Sequence, residues 1–354
     1  MVGLRRCGCG QWIVLLCLLP IYIVLSVLIQ NVLFSTYLNG PIALNTERKL
    51  SRLDPHSLQA AVPTEIATTT VTPGSDIVTD PDGRVTSLLQ PEMDPVVPNV
   101  VHYIWFGQYE NLKFHHYLSI KSAFLNIKPE KVVFHCDHQP IGSWWKNIRK
   151  QVQNTHNSNH TCKWVLEIKH LEPPSEIFGN TLTRAEHKSD IARMSILYEQ
   201  GGIYLDLDVI VLKSFDPLRH YNYTMGIEYH GYPGRLNNGI IIAREGATFI
   251  KYWRETYHNF RKSEWDEHDT QVPYELQFQF PYLIHVEEKT LNYPSGKELD
   301  LIYERRYDWS NNYAMHLWSR LHDMEHGPAA IKTMNTTFGE ITRFIHYGDP
   351  RLIT

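Results

Sequence analysis

The chain has 354 residues, room for one large domain or two small ones, and carries 34 Lys plus Arg against 38 Asp plus Glu, a formal net charge of −4. That balance, with no local basic run, argues against a nucleic-acid partner. Its 20 Tyr and 9 Trp suit sugar or base stacking and an ordinary large core equally well, so they decide little.

Residues 12–34 come first as a membrane segment. Trp12 to Ile29 is almost wholly apolar, and Val32, Leu33 and Phe34 follow a short polar break. A helix of that length crosses a hydrocarbon core of about 30 Å. Arg5 and Arg6 precede it and the next basic residue is Arg48, so residues 1–11 are predicted to stay in the cytoplasm and the remainder to cross. A cleaved signal peptide is the competing reading. The apolar run exceeds a usual signal core and no A-x-A site follows it, so the prediction is an uncleaved signal anchor and a single-pass type II membrane protein. Cys7 and Cys9, beside the anchor, are candidates for acylation.

Residues 35–95 change character. Thr64, Thr68, Thr69, Thr70, Thr72 and Thr79 interleave with Pro63, Pro73 and Pro81, without apolar periodicity. Such a segment buries too little surface to offset its ordering entropy, and is predicted to be a disordered Thr/Pro-rich stem open to O-glycosylation. Three N-glycosylation sequons follow, at Asn159, Asn222 and Asn335, in keeping with a lumenal domain.

Residues 96–354 are predicted to form that domain. Val100 to Phe106 reads as a buried strand closed by Gly107, followed by a helix through Tyr117 to Phe124. Lys131 to Cys136 is a second strand, Trp144 to Val152 a helix, and Trp164 to Ile168 a third strand. Strands alternating with helices predict a mostly parallel α/β sheet, whose ligands sit beyond the carboxyl ends of the strands. Trp105 and the acidic pair described next would then face one crevice. Cys136 and Cys162 are the only cysteines beyond the anchor, and a single bridge and two buried free thiols both remain open.

The stretch from Thr183 to Asp208 organises the domain. Thr183 and Glu186 fit a capping box, after which Ile191, Met194, Ser195 and Tyr198 share one helical face and Asp190 and Arg193 another. Gly201-Gly202 stops the helix. The period then becomes two, with Ile203, Leu205, Leu207, Val209 and Val211 on one side and Tyr204, Asp206 and Asp208 on the other. Unpaired carboxylates at the end of an apolar strand are costly unless neutralised, and a hard divalent cation with open positions for phosphate oxygens, Mn²⁺ or Mg²⁺, is the natural partner. A bare D-x-D is common. Its company here, Asp190, Arg193, the double glycine and Tyr204, makes it a candidate site.

Beyond it, Val209 to Leu212 stays apolar and Phe215-Asp-Pro217-Leu218 turns. Asn237-Asn238-Gly239 precedes a strand over Ile240 to Ala243, and a helix covers Ala247 to Phe260. Asn238 either reaches a bound sugar or acceptor or merely makes an Asn-Asn-Gly turn. The C-terminal part is rich in aromatics and histidine, including Tyr313 to Trp318 and Phe344 to His346, with no sign of a further domain or internal repeat.

Together the S-D-x-x-R element (Ser189, Asp190, Arg193), G-G-x-Y-x-D-x-D (Gly201 to Asp208) and I-W-F-G (Ile104 to Gly107) resemble the DXD-motif sugar transferases. That family includes fungal α-1,6-mannosyltransferases, animal α-1,4-galactosyl- and α-1,4-N-acetylglucosaminyltransferases and, more distantly, clostridial glucosylating toxins. The resemblance implies a GT-A fold, one Rossmann-like α/β domain with a mixed central sheet. It also implies retaining transfer from a nucleotide-sugar held through Mn²⁺ or Mg²⁺. Trp105 would stack on the base, where otherwise it is a core residue. Asp190 and Arg193 would contact the transferred sugar and phosphates, where otherwise they are a surface pair. Tyr204 would lie near the ribose, Asp206 would bind ribose or a water on the metal, and Asp208 would ligate the metal. His316 is the candidate for the late metal ligand, with His346 second; a satisfied histidine in a C-terminal helix is its bland alternative. The expected protein is a Golgi-type lumenal hexosyltransferase acting on a glycoprotein or glycolipid glycan, with UDP-galactose or UDP-N-acetylglucosamine favoured over GDP-mannose. A non-catalytic, membrane-anchored lectin-like protein on the same fold is the alternative of a different class.

Overall fold

The computed structural model describes residues 78–79, 85–87, 96–107, 110–157, 163–322 and 325–353. The predicted tail, anchor and most of the stem lie outside them, as do Asn159 and Cys162. Among the described residues no helix is long and apolar enough to cross a membrane. The chain divides into units 1–90 and 91–354. In the first, Val78–Thr79 pairs antiparallel with Val85–Ser87, within the predicted stem.

The second unit is built on seven strands. In chain order they are β1 (Val100–Trp105), β2 (Lys131–Cys136), β3 (Leu166–His170), β4 (Gly202–Leu205), β6 (Tyr223–Tyr229), β7 (Arg235–Ala243) and β8 (His285–Glu287). Their order in the sheet is β8-β6-β7-β4-β1-β2-β3. The pairs β4-β1, β1-β2, β2-β3 and β6-β8 are parallel and only β7 runs antiparallel to its neighbours, so the sheet is mixed and, as expected, mostly parallel. Strands β1 and β2 have apolar residues on both faces, as strands covered on two sides must. Val101, Tyr103, Trp105, Val132, Phe134 and Cys136 face one core with α1 (Phe114–Ser122) and α6 (Thr337–Tyr347). Ile104, Tyr204, Met225 and Ile241 face another, with α3 (Ala185–Gln200) and α4 (Thr248–Glu255). Helix α2 (Ser143–Asn157) connects β2 to β3, and α5 (Val272–Gln279) precedes β8. Cys136 is a buried free thiol, its pKa pushed up to about 11 by burial and by the neighbouring Asp137.

Helix α3 corrects two expectations. Its N-cap is Arg184, without a side-chain cap, so the Thr183–Glu186 capping box does not form. Tyr198 is exposed, while His187, Asp190, Arg193 and Leu197 are buried, because the helix is wedged against the sheet along its length. The glycine stop is real. Gly202 has φ +110°, and a Cβ there would lie 2.7 Å from the Val100 carbonyl and 2.9 Å from His102, which no side chain permits.

The strand expected over Ile203 to Val211 is broken. Strand β4 ends at Leu205, residues 206–208 turn, and β5 (Val209–Val211) leaves the main sheet to pair antiparallel with β9 (Ala314–His316). Asn237 and Asn238 are likewise not a turn before a strand but lie inside β7. There the register jumps from Met225↔Ile241 to Gly226↔Asn237, a bulge in the segment that carries both asparagines.

Candidate functional site

The break after β4 sets the site. Asp206 stays tied to the main sheet, its N–H donating to the Gly239 carbonyl of β7 at 2.8 Å. Gly239 is needed there, since a Cβ would meet the Asp206 carboxylate at 2.8 Å. Asp208 begins the second sheet, and pairing of β5 with β9 puts His316 opposite Val209. The ligand atoms of Asp206, Asp208 and His316 all lie within 4.8 Å of one another. His316 therefore sits on a buried strand, not in a C-terminal helix.

Asp208 is held on both oxygens. Oδ1 lies 2.9 Å from His316 Nε2, and Oδ2 accepts from the backbone N–H and the hydroxyl of Ser319, each at 2.9 Å. Burial opposes charge on both partners, but their mutual attraction outweighs it. Asp208 is held well below the usual carboxylate range, and the His316 imidazole is raised. The other ring nitrogen of His316 lies 3.3 Å from the Asn237 amide, which also donates to Glu228 at 3.2 Å. Two carboxylates and an imidazole this close fit a divalent cation of the Mn²⁺ or Mg²⁺ kind, and Nε2 would have to give up its proton to become a ligand. The contact between His316 and Asp208 marks where positive charge is wanted.

Beside this cluster lies a second, drier network. Asp190 and Arg193 are 3 % and 5 % exposed, so they are no surface pair. The Arg193 guanidinium sits 3.4 Å from Asp190, 3.4 Å from Asp206 and 2.8 Å from the Asn238 carbonyl, to which it donates. It also lies over the Tyr204 ring, 4.3 Å from the centroid. The Asn238 amide donates to Asp190 at 2.9 Å, and the Tyr204 hydroxyl to Asp206 at 2.6 Å. The turn alternative for Asn238 thus gives way to a role in the network. Burial raises the Asp190 carboxyl to about 6, against the pull of Arg193. Arg193, though burial works against its charge, is held up by Asp206, Tyr204 and Asp190.

The structure brings Asp190, Arg193, Tyr204, Asp206, Asp208, Asn238 and His316 together. Trp105 is 4 % exposed at the end of β1, its ring edge-on to His116 at 5.5 Å. His346, the second metal candidate, is not in the cluster. It packs on Phe114, Tyr117 and Trp144, and burial lowers it to about 4. Sequence reasoning missed Asn237, Glu228, Ser319 and Asp269. Ser319 directly follows His-Leu-Trp and was findable as part of that motif. Asp269 had no signal; it lies in the short turn Glu267–Gln271, with one buried carboxylate oxygen lacking a partner and its pKa raised by burial and by Asp190.

An α/β protein with a mixed sheet, a carboxylate–imidazole cation site at the strand ends and a buried Asp–Arg pair beside it is the class this geometry defines. Residues 102–224 match the model of the glycosyltransferase sugar-binding region containing a DXD motif. The chain is 30 % identical over 279 residues to glucan organizing enzyme 1 of Cryptococcus neoformans var. grubii, covering 72 % of each. It is 36 % identical over 63 residues to inositol phosphoceramide mannosyltransferase 3 of Schizosaccharomyces pombe, covering 18 % of this chain and 17 % of that one. The chain belongs to the DXD-motif glycosyltransferase family. Among solved structures it is similar to a galactosyltransferase bound to donor and acceptor sugar analogs, with 15 % identity and a TM-score of 0.37 over 72 % of this chain and 97 % of that one.

Proposed function

We propose that this protein is a metal-dependent, retaining glycosyltransferase of GT-A architecture. It moves a hexose or N-acetylhexosamine from a nucleotide-sugar to a hydroxyl of a glycoprotein or glycolipid glycan. The observation that carries the reading is the convergence of Asp206, Asp208 and His316 within 4.8 Å beside the buried Asp190–Arg193–Asn238 network. In the transfer, the bond from the sugar anomeric carbon to the donor phosphate oxygen breaks and its electron pair leaves with the diphosphate. The acceptor oxygen forms the new bond and gives up its proton. A bound Mn²⁺ or Mg²⁺ would supply positive charge beside the leaving diphosphate. Asp206 and Asp208 would hold that cation with His316, and Ser319 and Asn237 would orient Asp208 and His316.

Arg193 and Asn238 fix the Asp190 carboxylate in one rotamer at the edge of the site, so that it can accept from a sugar hydroxyl without reorganising. Tyr204 orients Asp206 in the same way, toward ribose or a metal-bound water. UDP-galactose and UDP-N-acetylglucosamine are the favoured donors. GDP-mannose is the second reading, favoured by the mannosyltransferase named among the relatives. The apolar segment at residues 12–34 would anchor the chain in the Golgi membrane with residues 96–354 lumenal, consistent with the exposure of Asn222 and Asn335.

The test is a donor screen with the purified protein. A panel of UDP- and GDP-sugars is incubated with Mn²⁺, and release of the nucleoside diphosphate is followed. One donor is expected to be turned over, with EDTA stopping turnover and Mn²⁺ restoring it. Turnover indifferent to chelation, or none with any donor and acceptor glycan, would sink the reading.

A further inference from the structure

Retention places a demand on where the acceptor stands. With or without a covalent intermediate, its oxygen approaches the anomeric carbon from the face that the diphosphate leaves. The acceptor hydroxyl therefore comes in beside the cation. We propose that Glu228, near the end of β6, is the carboxylate that binds the acceptor hydroxyl there and takes up its proton. This inference rests on the transfer reading above and names a group for the proton that reading leaves unassigned.

Most carboxylates around the site are already occupied. Asp208 is held on both oxygens by His316 and Ser319, and Asp206 accepts from the Tyr204 hydroxyl. Asp190 accepts from Asn238 and lies 3.4 Å from Arg193. Asp266 pairs with Arg235 at 2.7 Å and takes the Gln271 amide on its other oxygen. Glu228 differs. Its Oε2 accepts from the Asn237 amide at 3.2 Å, whereas Oε1 accepts no hydrogen bond among the described residues and is open to solvent. The side chain is half-buried, two residues before the exposed His230.

The carboxylate is also fixed relative to the cation cluster. Asn237 Nδ2 lies 3.3 Å from His316 Nδ1, so a single amide separates Glu228 from that imidazole. The Asn237 side-chain oxygen accepts from the Gly239 N–H at 2.9 Å, which leaves the donor end of the amide for Glu228. The Gly239 carbonyl in turn receives the Asp206 N–H, so the cation ligand and the free carboxylate share one frame. Burial raises the Glu228 carboxyl, opposed by Asn237, His316 and Arg235 and helped by Asp266. A carboxylate raised in this way accepts a proton more readily than an exposed one.

As the bond from the anomeric carbon to the phosphate oxygen breaks, its electron pair leaves with the diphosphate. The acceptor oxygen forms the new bond to that carbon, and its proton passes to Glu228 Oε1. Asn237 holds Oε2 throughout, so the carboxylate need not reorganise. The proton is then lost to solvent on the open side.

The test uses the full chain with Mn²⁺, with UDP-galactose, UDP-N-acetylglucosamine and GDP-mannose as donors and lactose and methyl α-mannoside as acceptors. Glu228→Gln keeps an oxygen for the Asn237 amide and removes the charge. It should bind UDP or GDP with Mn²⁺ as the parent does, measured calorimetrically, and keep the Mn²⁺ rise in melting temperature. Its kcat for transfer should fall about a hundredfold or more. Glu228→Ala is the second variant, and formate, a carboxylate small enough for the vacated space, should restore part of its transfer. Transfer at the parental rate in Glu228→Gln overturns the assignment and leaves the transfer reading intact. So does loss of the Mn²⁺ shift together with transfer, since Glu228 would then act only by supporting His316. No response of folded Glu228→Ala to formate overturns the proton-accepting role. A parent that transfers from none of the donors sinks the transfer reading, and this assignment with it.

Discussion

Arg193 shows how much one side chain decides here. Its planar fork reaches two carboxylates and a carbonyl while its face lies on Tyr204, which no other side chain can do at once. Removing it leaves Asp190 charged and buried with only the Asn238 amide to meet it. Arg193→Met is therefore expected to cost about 3–5 kcal/mol in urea unfolding at neutral pH, besides abolishing activity. A loss below about 1 kcal/mol, the range of an exposed pair, would show the network to be far less dry than its burial indicates. That Asp190 and Arg193 pair was legible from their spacing of three on a helix. Their burial was not, because burial depends on what packs over the helix, and their key partner Asn238 comes from a strand distant in sequence.

At the level of elements, the turn from α3 through Gly201-Gly202 into β4 is locally encoded, and the structure keeps it. A pair of histidines supports it from beneath. His102 lies 3.1 Å from His135 and, with its other ring nitrogen, 3.1 Å from the Gly201 carbonyl. Burial lowers His102 to about 3, with help from His135, and lowers His135 to about 4.

Both folded values lie below the ordinary 6.5, so the stability they contribute is present above pH 6.5 and lost as pH falls toward 4 and 3. Over that window the unfolded chain binds protons that the native pair refuses, at about 1.4 kcal/mol per pH unit for each. Asp190, raised to about 6, works the other way between pH 4 and 6, so a comparison with a variant is needed. The urea-unfolding free energy of His135→Gln should fall less steeply below pH 6.5 than that of the parent, by about one proton. Parallel slopes would contradict a neutral buried pair.

On the scale of the whole molecule, the cation site joins two sheets. Asp206 follows β4 and donates its N–H to Gly239 of the seven-stranded sheet, whereas Asp208 precedes β5 and accepts from Leu317, the residue after His316 of β9. A cation bound across them favours the folded chain, by about 2.7 kcal/mol at a hundred times Kd. Mn²⁺ should raise the melting temperature and EDTA reverse it. Asp208→Asn, which keeps an acceptor for Ser319 but loses the charge, should fold, lose the Mn²⁺ shift and drop turnover by at least about a hundredfold. A normal Mn²⁺ shift in that variant would remove Asp208 from the ligand set.

The sequence by itself determined the helix, its double-glycine stop and the start of the strand that follows, and it singled out Asp190, Arg193, Tyr204, Asp206 and Asp208 as candidates. Each is written in local periodicity or in a short motif, and local rules read both. Only the tertiary structure decided that the strand breaks after Leu205 with both aspartates in the turn, that β7 bulges at Asn237 and Asn238, and that β9 and the turn after it carry His316 and Ser319 to Asp208. Those features arise from pairing between segments as far as 111 residues apart. Pairing partners of a strand are set by which edges and faces remain to be covered once the whole sheet is assembled, and no window of the chain holds that information.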